Sequence, residues 1–298
     1  MFQYEFMQRA FLAAGLISLI APVLGVYLVL RRQSLMSDTL SHVSMAGVAL
    51  GSVLHLSPVL CGFLFAILGG IVIEQLRRTY RSYSEVPVAI IMTSGLALAM
   101  VLMSLKTSLN KSFNSYLFGS IVAVSGAQLI VIAAVTLIGL LFFVLLRRPL
   151  YSLTFEEDTA AVSGVHVKLL SFAFAVVTGM IVAAAMPIVG VLLVSSMIVL
   201  PSAFALRFAG GFVSASILAV ATGMIGVFSG LTASYYTNTP PGGIIALILL
   251  AILLIGIGAK RIVKLAAKRR IAKTGTYSSQ KTHQTNQTNQ TLQEGALK

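Results

Sequence analysis

Long apolar stretches separated by short polar ones make up most of the sequence. Several of these stretches are shorter than the ~20 residues that a membrane-spanning helix needs. The second stretch reaches that length only if its helix begins near Ser37. The pattern predicts an all-α polytopic membrane protein. Nine hydrophobic segments can be distinguished, at about Phe11–Leu30, Ser41–Leu54, Pro58–Ile73, Pro87–Leu105, Ala127–Leu146, Leu169–Met186, Ile188–Leu206, Phe212–Tyr236 and Gly243–Ile257.

The number of spans depends on the sixth and seventh segments, which meet at Met186-Pro187. A proline inside a helix removes a backbone hydrogen bond and kinks or ends the helix. The two segments are therefore either two spans joined by a tight turn or one long kinked element. The sequence predicts 8-9 transmembrane helices and leaves this choice open.

Basic residues indicate the orientation of the spans. If the N-terminus lies outside, sixteen Lys and Arg residues fall in inner segments, whereas the outer segments hold Arg9, Lys106 and Lys111. Cytoplasmic loops of membrane proteins carry the excess of positive charge. We therefore predict that the N-terminus is outside and the C-terminus cytoplasmic. The same distribution accounts for the net charge of +13 without a nucleic-acid partner.

Composition agrees with a membrane protein. Of the 298 residues, 57% are hydrophobic and 10% are charged, and the mean hydropathy is +0.95. The single cysteine, Cys61, lies in an apolar run and is expected to be a small core residue. Met1–Ala10 contains the acidic Glu5, and no small-residue cleavage site follows the first apolar run. We therefore expect that run to be retained as a span.

Two polar segments stand apart from the spans. A predicted cytoplasmic loop, about 151–168, interrupts a transmembrane domain at 1–270. Acids followed by Ala-Ala and Gly predict a short helix within the segment Phe155–Gly164. After Arg270 the chain is rich in Gln, Asn and Thr and has no apolar face to bury, so residues 271–298 are predicted to be a disordered polar cytoplasmic tail.

Asp38 and His42 are the candidate functional pair. They are four residues apart, so a helix would place them on one face, one turn apart. Charged groups at membrane depth are costly and indicate a site. The alternative is that Asp38 caps the helix and His42 hydrogen-bonds a neighbouring carbonyl. A carboxylate oxygen and an imidazole nitrogen suit Zn²⁺ or Mn²⁺. Glu74, beside Arg77 and Arg78, is expected to be paired with them instead.

No catalytic constellation occurs in the sequence. It contains no Gly-x-x-x-x-Gly-Lys-Ser/Thr, no Cys cluster, no His-Glu-x-x-His and no Gly-x-Ser-x-Gly. The chain is therefore not expected to be an enzyme or to hold a cofactor. If transport uses ATP, a separate subunit must bind and hydrolyse it. The glycine and serines of the run Gly190–Ser196 allow close helix approach or face a polar lumen, and packing is the favoured use.

The sequence resembles the zinc and manganese ATP-binding-cassette permeases, and is most similar to the zinc-uptake permeases of Gram-positive bacteria. The resemblance extends from about Phe11 to Gly258 and is most specific in its first motif. The stretches that carry it are Leu30–Gly51, with Ser34-Leu35-Met36-Ser37-Asp38-Thr39-Leu40-Ser41-His42, then Thr93–Leu98, Tyr116–Ser120, Phe155–Gly164, and Gly190–Val194 running on to Leu200-Pro201.

The resemblance implies a multi-pass permease of the bacterial plasma membrane. Its expected partners are a second permease copy (a homodimer), cytosolic ATPase subunits, an extracellular metal-binding protein and membrane lipid. It implies that Asp38 and His42 coordinate transported Zn²⁺ or Mn²⁺. It also implies that the predicted short helix couples to the ATPase, through Phe155, Glu156, Glu157, Asp158 and Gly164. Tyr116–Ser120 is expected to be a re-entrant or interfacial piece outside.

Two functional hypotheses follow. The first is an ATP-driven importer of divalent metal, zinc before manganese. The second is a secondary metal carrier driven by an ion gradient, with Asp38 as a proton site, which the missing P-loop also permits. A membrane scaffold that transports nothing is a weaker third, because it offers no reason for an acid and an imidazole in one span.

Overall fold

Helices are the only regular elements in the residues described by the computed structural model, which are 4–80, 83, 85–105, 116–120 and 124–262. The helices are α1 (Glu5–Leu30), α2 (Leu35–Val53), α3 (Pro58–Thr79), α4 (Glu85–Ser104), α5 (Gly126–Leu145), α6 (Arg147–Phe155), α7 (Glu157–Val162), α8 (Val167–Val189), α9 (Val194–Phe208), α10 (Phe212–Thr237) and α11 (Pro241–Ile262). The prediction of an all-α chain is confirmed for these residues. The predicted tail, 271–298, lies outside them, as do Lys106 and Lys111.

Seven of these helices are long and apolar enough to cross a membrane: α1, α3, α4, α5, α8, α10 and α11. The chain is therefore a multi-pass membrane protein. Helix α2 is not in this group, since its 19 residues include several polar side chains. Helix α9 has only 15 residues. The expected eight or nine spans include these two helices, and the number of spans stays a prediction.

The junction of the sixth and seventh predicted segments is a break between two helices. Helix α8 continues through Pro187 and ends at Val189. Gly190 then has a φ of +89°, and α9 begins at Val194. The N–H of Gly190 donates to the carbonyl oxygen of Met186 at 2.9 Å. The break therefore lies at Gly190 and not at the proline, because Pro187 is accommodated inside the last turn of α8.

Two groups of helices surround α8. Helix α2 packs mainly against α3 and α4, whereas α1 packs mainly against α9 and α10. Helix α8 contacts α3, α1 and α2. It approaches α3 at two glycines: a Cβ on Gly70 would lie 2.6 Å from the oxygen of Ala175, and one on Gly179 would lie 2.6 Å from the oxygen of Ala66. The backbones of α3 and α8 are therefore in direct contact, as small residues permit in membrane helices.

These contacts belong to a compact unit that ends at Leu253. The described residues of a second unit, 254–262, are helical and belong to α11.

A buried carboxylate organises the C-terminal end of α3. Glu74 is 3% exposed. Its oxygens lie 3.3 Å from Nε of Arg77 and 3.0 Å from Nη2 of Arg78. These ion pairs confirm the prediction that Glu74 is paired with its neighbouring arginines. Because a buried carboxylate without a counter-charge would be costly, the pairs allow α3 to end with its acid inside the protein.

Arg31 connects the end of α1 with the start of α8. Its Nη2 donates to Oγ of Ser171 at 3.3 Å, and its guanidinium lies 4.8 Å from the centre of the Phe174 ring. Burial lowers the pKa of Arg31 to about 10, and Arg77 acts in the same direction, whereas the carboxylates of Glu74 and Glu157 oppose it. Arg31 therefore stays charged at neutral pH. We call the following cluster the basic end: Arg31, Glu74, Arg77, Arg78, Ser171 and Phe174.

Candidate functional site

Asp38 and His42 lie on one face of α2, one helical turn apart. Since α2 begins at Leu35, Asp38 lies inside the helix. Oδ2 of Asp38 is 3.9 Å from Nε2 of His42, which is too long for a hydrogen bond. The Asp38 side chain is 30% exposed and that of His42 is 12% exposed. The two groups therefore face each other across a gap and remain partly accessible.

The purely structural roles considered for this pair are not observed in the described part of the chain. Ser34 occupies the N-cap position of α2, and no side chain makes a capping hydrogen bond there. Nδ1 of His42 is buried without a hydrogen-bond partner among the described residues. Asp38 and His42 therefore do not serve to complete the hydrogen bonding of α2.

The hydroxyl groups of α2 behave differently. They donate to backbone carbonyl oxygens, which satisfies polar groups that would otherwise be buried at a cost. These bonds run from Ser37 to Ser34, from Thr39 to Leu35, from Ser41 to Ser37, from Ser44 to Gly62 and from Ser52 to Val48. The polar atoms of Asp38 and His42 are thus distinct on this helix, because they point away from the backbone network.

Ser195, in the first turn of α9, completes the surroundings of Asp38. Its Oγ donates to Oδ1 of Asp38 at 3.3 Å, although the two residues are 157 positions apart. The glycine and serines of this run predict close helix packing or a polar lumen, and the structure shows that Ser195 contacts an acid on another helix. A pattern of glycines and serines shows that a helix has a small polar face, but it does not show which residue the face meets.

A cavity of about 290 Å³ adjoins the carboxylate of Asp38. It is open on one side and lies between the first turns of α2 and α9. The residues that line it are Ser34, Leu35, Asp38, Ser195, Ser196, Val199 and Leu200. Asp38 can therefore be reached by a small ion or by a second protein surface.

The donor atoms of the pair are of the types that bind a divalent metal ion. Two ligands of one tetrahedral zinc ion, with bonds of about 2.0–2.1 Å, are about 3.4 Å apart. The observed separation of 3.9 Å would close by about 0.5 Å on binding. Among the described residues there is no group of three or more His, Cys, Asp and Glu side chains that could hold a metal. The pair therefore offers two strong ligands, which is fewer than the four of a structural zinc site.

The segment Phe155–Gly164 contains the predicted short helix. Phe155 is the last residue of α6, and α7 extends over Glu157–Val162. Ala160 packs inward with no exposed surface. Gly164 follows with a φ of +80°. The exposed side chains of the segment include Phe155, Glu156, Glu157, Asp158 and Val162. The segment thus presents an acidic and apolar surface.

Comparison with known proteins gives consistent matches over most of the chain. The ABC 3 transport family matches residues 3–260. A protein of Treponema pallidum named "Probable metal transport system membrane protein" is 34% identical over 262 residues, which are 88% of this chain and 98% of that protein.

Two further relatives carry the names of different metals. The manganese import system permease protein ScaB of Streptococcus parasanguinis is 31% identical, with coverage of 82% of this chain and 87% of the relative. The high-affinity zinc uptake system membrane protein ZnuB of Haemophilus influenzae is 30% identical, with coverage of 80% and 92%.

The fold also matches a solved structure, PsaBC from Streptococcus pneumoniae in complex with Fab. The TM-score is 0.75 at 28% sequence identity, and the match covers 85% of this chain and 91% of that chain. The helical architecture is therefore shared over most of both chains.

Proposed function

The chain belongs to the ABC 3 transport family, and from this premise we propose that it is the membrane permease subunit of an ATP-binding-cassette importer for divalent metal ions. The observation that carries the proposal is the gap of 3.9 Å between Asp38 Oδ2 and His42 Nε2. An acid and an imidazole in a helix of a membrane protein are costly, so their presence supports a functional role such as an ion path. Here they face each other without a hydrogen bond, and Asp38 lines an open cavity.

Zinc is the proposed first substrate and manganese the second. Imidazole nitrogen and carboxylate oxygen bind both ions. Relatives named for zinc and for manganese are similar to this chain to nearly the same degree, at 30% and 31% identity. We place zinc before manganese because of the ligand pair, since one imidazole and a single carboxylate oxygen fit a small tetrahedral ion well.

A second copy of the chain is the proposed partner at the open side of the cavity. The Asp38 side chain is 30% exposed there, and a carboxylate that faced lipid would be costly. A second copy placed against α2 and α9 would cover it. Such a homodimer would also double the set of two strong ligands.

ATP is proposed to act through separate cytosolic subunits. The sequence contains no P-loop, and the acidic surface of α7 is exposed. We place the basic end in the cytoplasm, which corresponds to an N-terminus outside. An ATPase would dock on the segment Phe155–Gly164, and an extracellular metal-binding protein would deliver the ion at the opposite end of the helices.

The direct test is uptake of zinc and manganese salts in cells that depend on this permease. We expect Asp38→Ala and His42→Ala to abolish uptake at normal expression, and Ser52→Ala, on the same helix but bonded to its own backbone, to retain it. Wild-type uptake by both site variants would refute the site. Competition between zinc and manganese for uptake by the wild type shows which ion the permease prefers.

A secondary carrier would behave differently in a purification. An importer of the proposed kind should bring down an ATPase subunit when the chain is isolated in mild detergent. If the chain instead purifies without an ATPase subunit and transports metal under an imposed ion gradient without ATP, it is a secondary carrier.

A further inference from the structure

We propose that Ser195 is a positioning residue of the metal site, which holds one oxygen of Asp38 and leaves the other to the ion. This inference rests on the proposed function, since it assigns a role at that same site. Ser195 belongs to α9, whereas Asp38 and His42 belong to α2. In this proposal, residues of two helices form the site, and the sequence motif on α2 supplies only part of it.

The two oxygens of Asp38 have different neighbours. Oδ1 accepts a hydrogen bond from Oγ of Ser195 at 3.3 Å. Oδ2 faces Nε2 of His42 at 3.9 Å. A carboxylate is planar, so a hydrogen bond to Oδ1 restricts rotation of the group and keeps Oδ2 directed at the imidazole. Ser195 thus orients the ligand without standing between it and the ion.

The neighbouring serine provides an internal comparison. Ser196 lines the same cavity, but its Oγ donates to the carbonyl oxygen of Leu193 at 2.6 Å. It is therefore engaged with the backbone of its own segment. Ser195 and Ser196 are adjacent, equally small and equally polar, and they differ in what the hydroxyl contacts.

The position of Ser195 is set by the turn before α9. The N–H of Val191 donates to the oxygen of Tyr116 at 2.9 Å, and the N–H of Ser120 donates to the oxygen of Pro187 at 3.2 Å. Residues 116–120 thereby hold the turn between α8 and α9. Because α9 begins directly after this turn, its first turn is fixed relative to the rest of the helices.

Holding Oδ1 has a consequence for the choice of ion. A carboxylate with both oxygens free can bind in a bidentate manner, as larger oxygen-preferring ions accept. A carboxylate with one oxygen engaged is directed towards single-oxygen coordination, which suits a small tetrahedral ion. Loss of the Ser195 hydroxyl would therefore weaken zinc binding and at the same time reduce discrimination against manganese.

The experiment compares Ser195→Ala, Ser195→Thr and Ser52→Ala in cells that depend on the permease, at matched expression. Uptake of zinc and of manganese chloride is measured over a range of concentrations. For Ser195→Ala we expect the apparent KM for zinc to rise about three- to tenfold, with little change in maximal rate, and the preference for zinc over manganese to fall. Ser195→Thr, which keeps the hydroxyl, should have the KM for zinc and the ion preference of the wild type. Ser52→Ala, which removes a hydroxyl that bonds to its own helix backbone outside the cavity, should resemble the wild type.

Three outcomes would overturn the inference. They are equal kinetics of Ser195→Ala and Ser52→Ala, a loss of maximal rate alone in Ser195→Ala, and an unchanged preference for zinc over manganese. Each of these outcomes can be observed only if the wild type takes up metal. If the wild type takes up neither ion, the proposed function itself fails, and the two failures are thereby distinguished.

Discussion

Gly190 and Leu117 approach each other so closely that a Cβ on Gly190 would lie 2.4 Å from the carbonyl oxygen of Leu117. Gly190 also has a φ of +89°, a backbone conformation that residues other than glycine rarely adopt. The N–H of Leu192 donates to the same oxygen at 3.3 Å. The turn that ends α8 is therefore built against residues 116–120 through backbone contacts.

The first prediction concerns this turn. Gly190→Ala should strain the backbone and displace residues 116–120, which would lower the free energy of unfolding by about 1–3 kcal/mol. Zinc uptake should fall as well, because the turn positions Ser195. Gly126→Ala is the control, since a Cβ there meets nothing within 4 Å. Thermal unfolding of the purified proteins in detergent measures the difference, and equal midpoints for the two variants would contradict the prediction.

The second prediction concerns the basic end. Glu74→Gln would leave the guanidinium groups of Arg77 and Arg78 beside Arg31 without the buried counter-charge. Removal of one member of a buried ion pair costs about 3–5 kcal/mol. We therefore expect a clear drop in the unfolding temperature. Glu85→Gln removes an exposed acid and should change it little. A Glu74→Gln protein as stable as Glu85→Gln would show that the ion pairs contribute nothing.

The third prediction tests the proposed second copy. Leu35 lines the open cavity and is 56% exposed, whereas Leu64, on α3, is 58% exposed but does not line it. In a Cys61→Ala background, Leu35→Cys should form an oxidant-induced disulfide between two copies in the membrane. Leu64→Cys is the control and should stay monomeric. Monomers only, or equal cross-linking at both positions, would argue against pairing at the cavity.

The fourth prediction tests the coupling segment. The triple substitution Glu156→Gln, Glu157→Gln and Asp158→Asn removes the charge of the exposed surface of α7. Loss of charge at an interface weakens association, here by about tenfold or more in affinity for the ATPase subunit. The readouts are the ATPase recovered with the purified chain and the rate of metal uptake. Intact association and uptake would count against this segment as the docking surface.

The local pattern of the sequence was sufficient for several features. Apolar segments long enough to span a membrane predicted the class of protein, because the bilayer sets both length and composition. Helical periodicity brought Asp38 and His42 to one face. The order of acids, alanines and glycine predicted the short helix that the structure has at Glu157–Val162. Glu74 was correctly paired with arginines three and four residues away.

The sequence by itself therefore determined the membrane class, the helices and the polar pair on α2, since these depend on residues close together in the chain. Only the tertiary structure placed Ser195 on Oδ1 of Asp38, across 157 positions, and set the helix break at Gly190 against Leu117. The physical reason is that periodicity describes which residues share a helix face, whereas the partner of that face depends on how the helices pack. The fit of small residues at their contacts decides that packing, and no local pattern contains it.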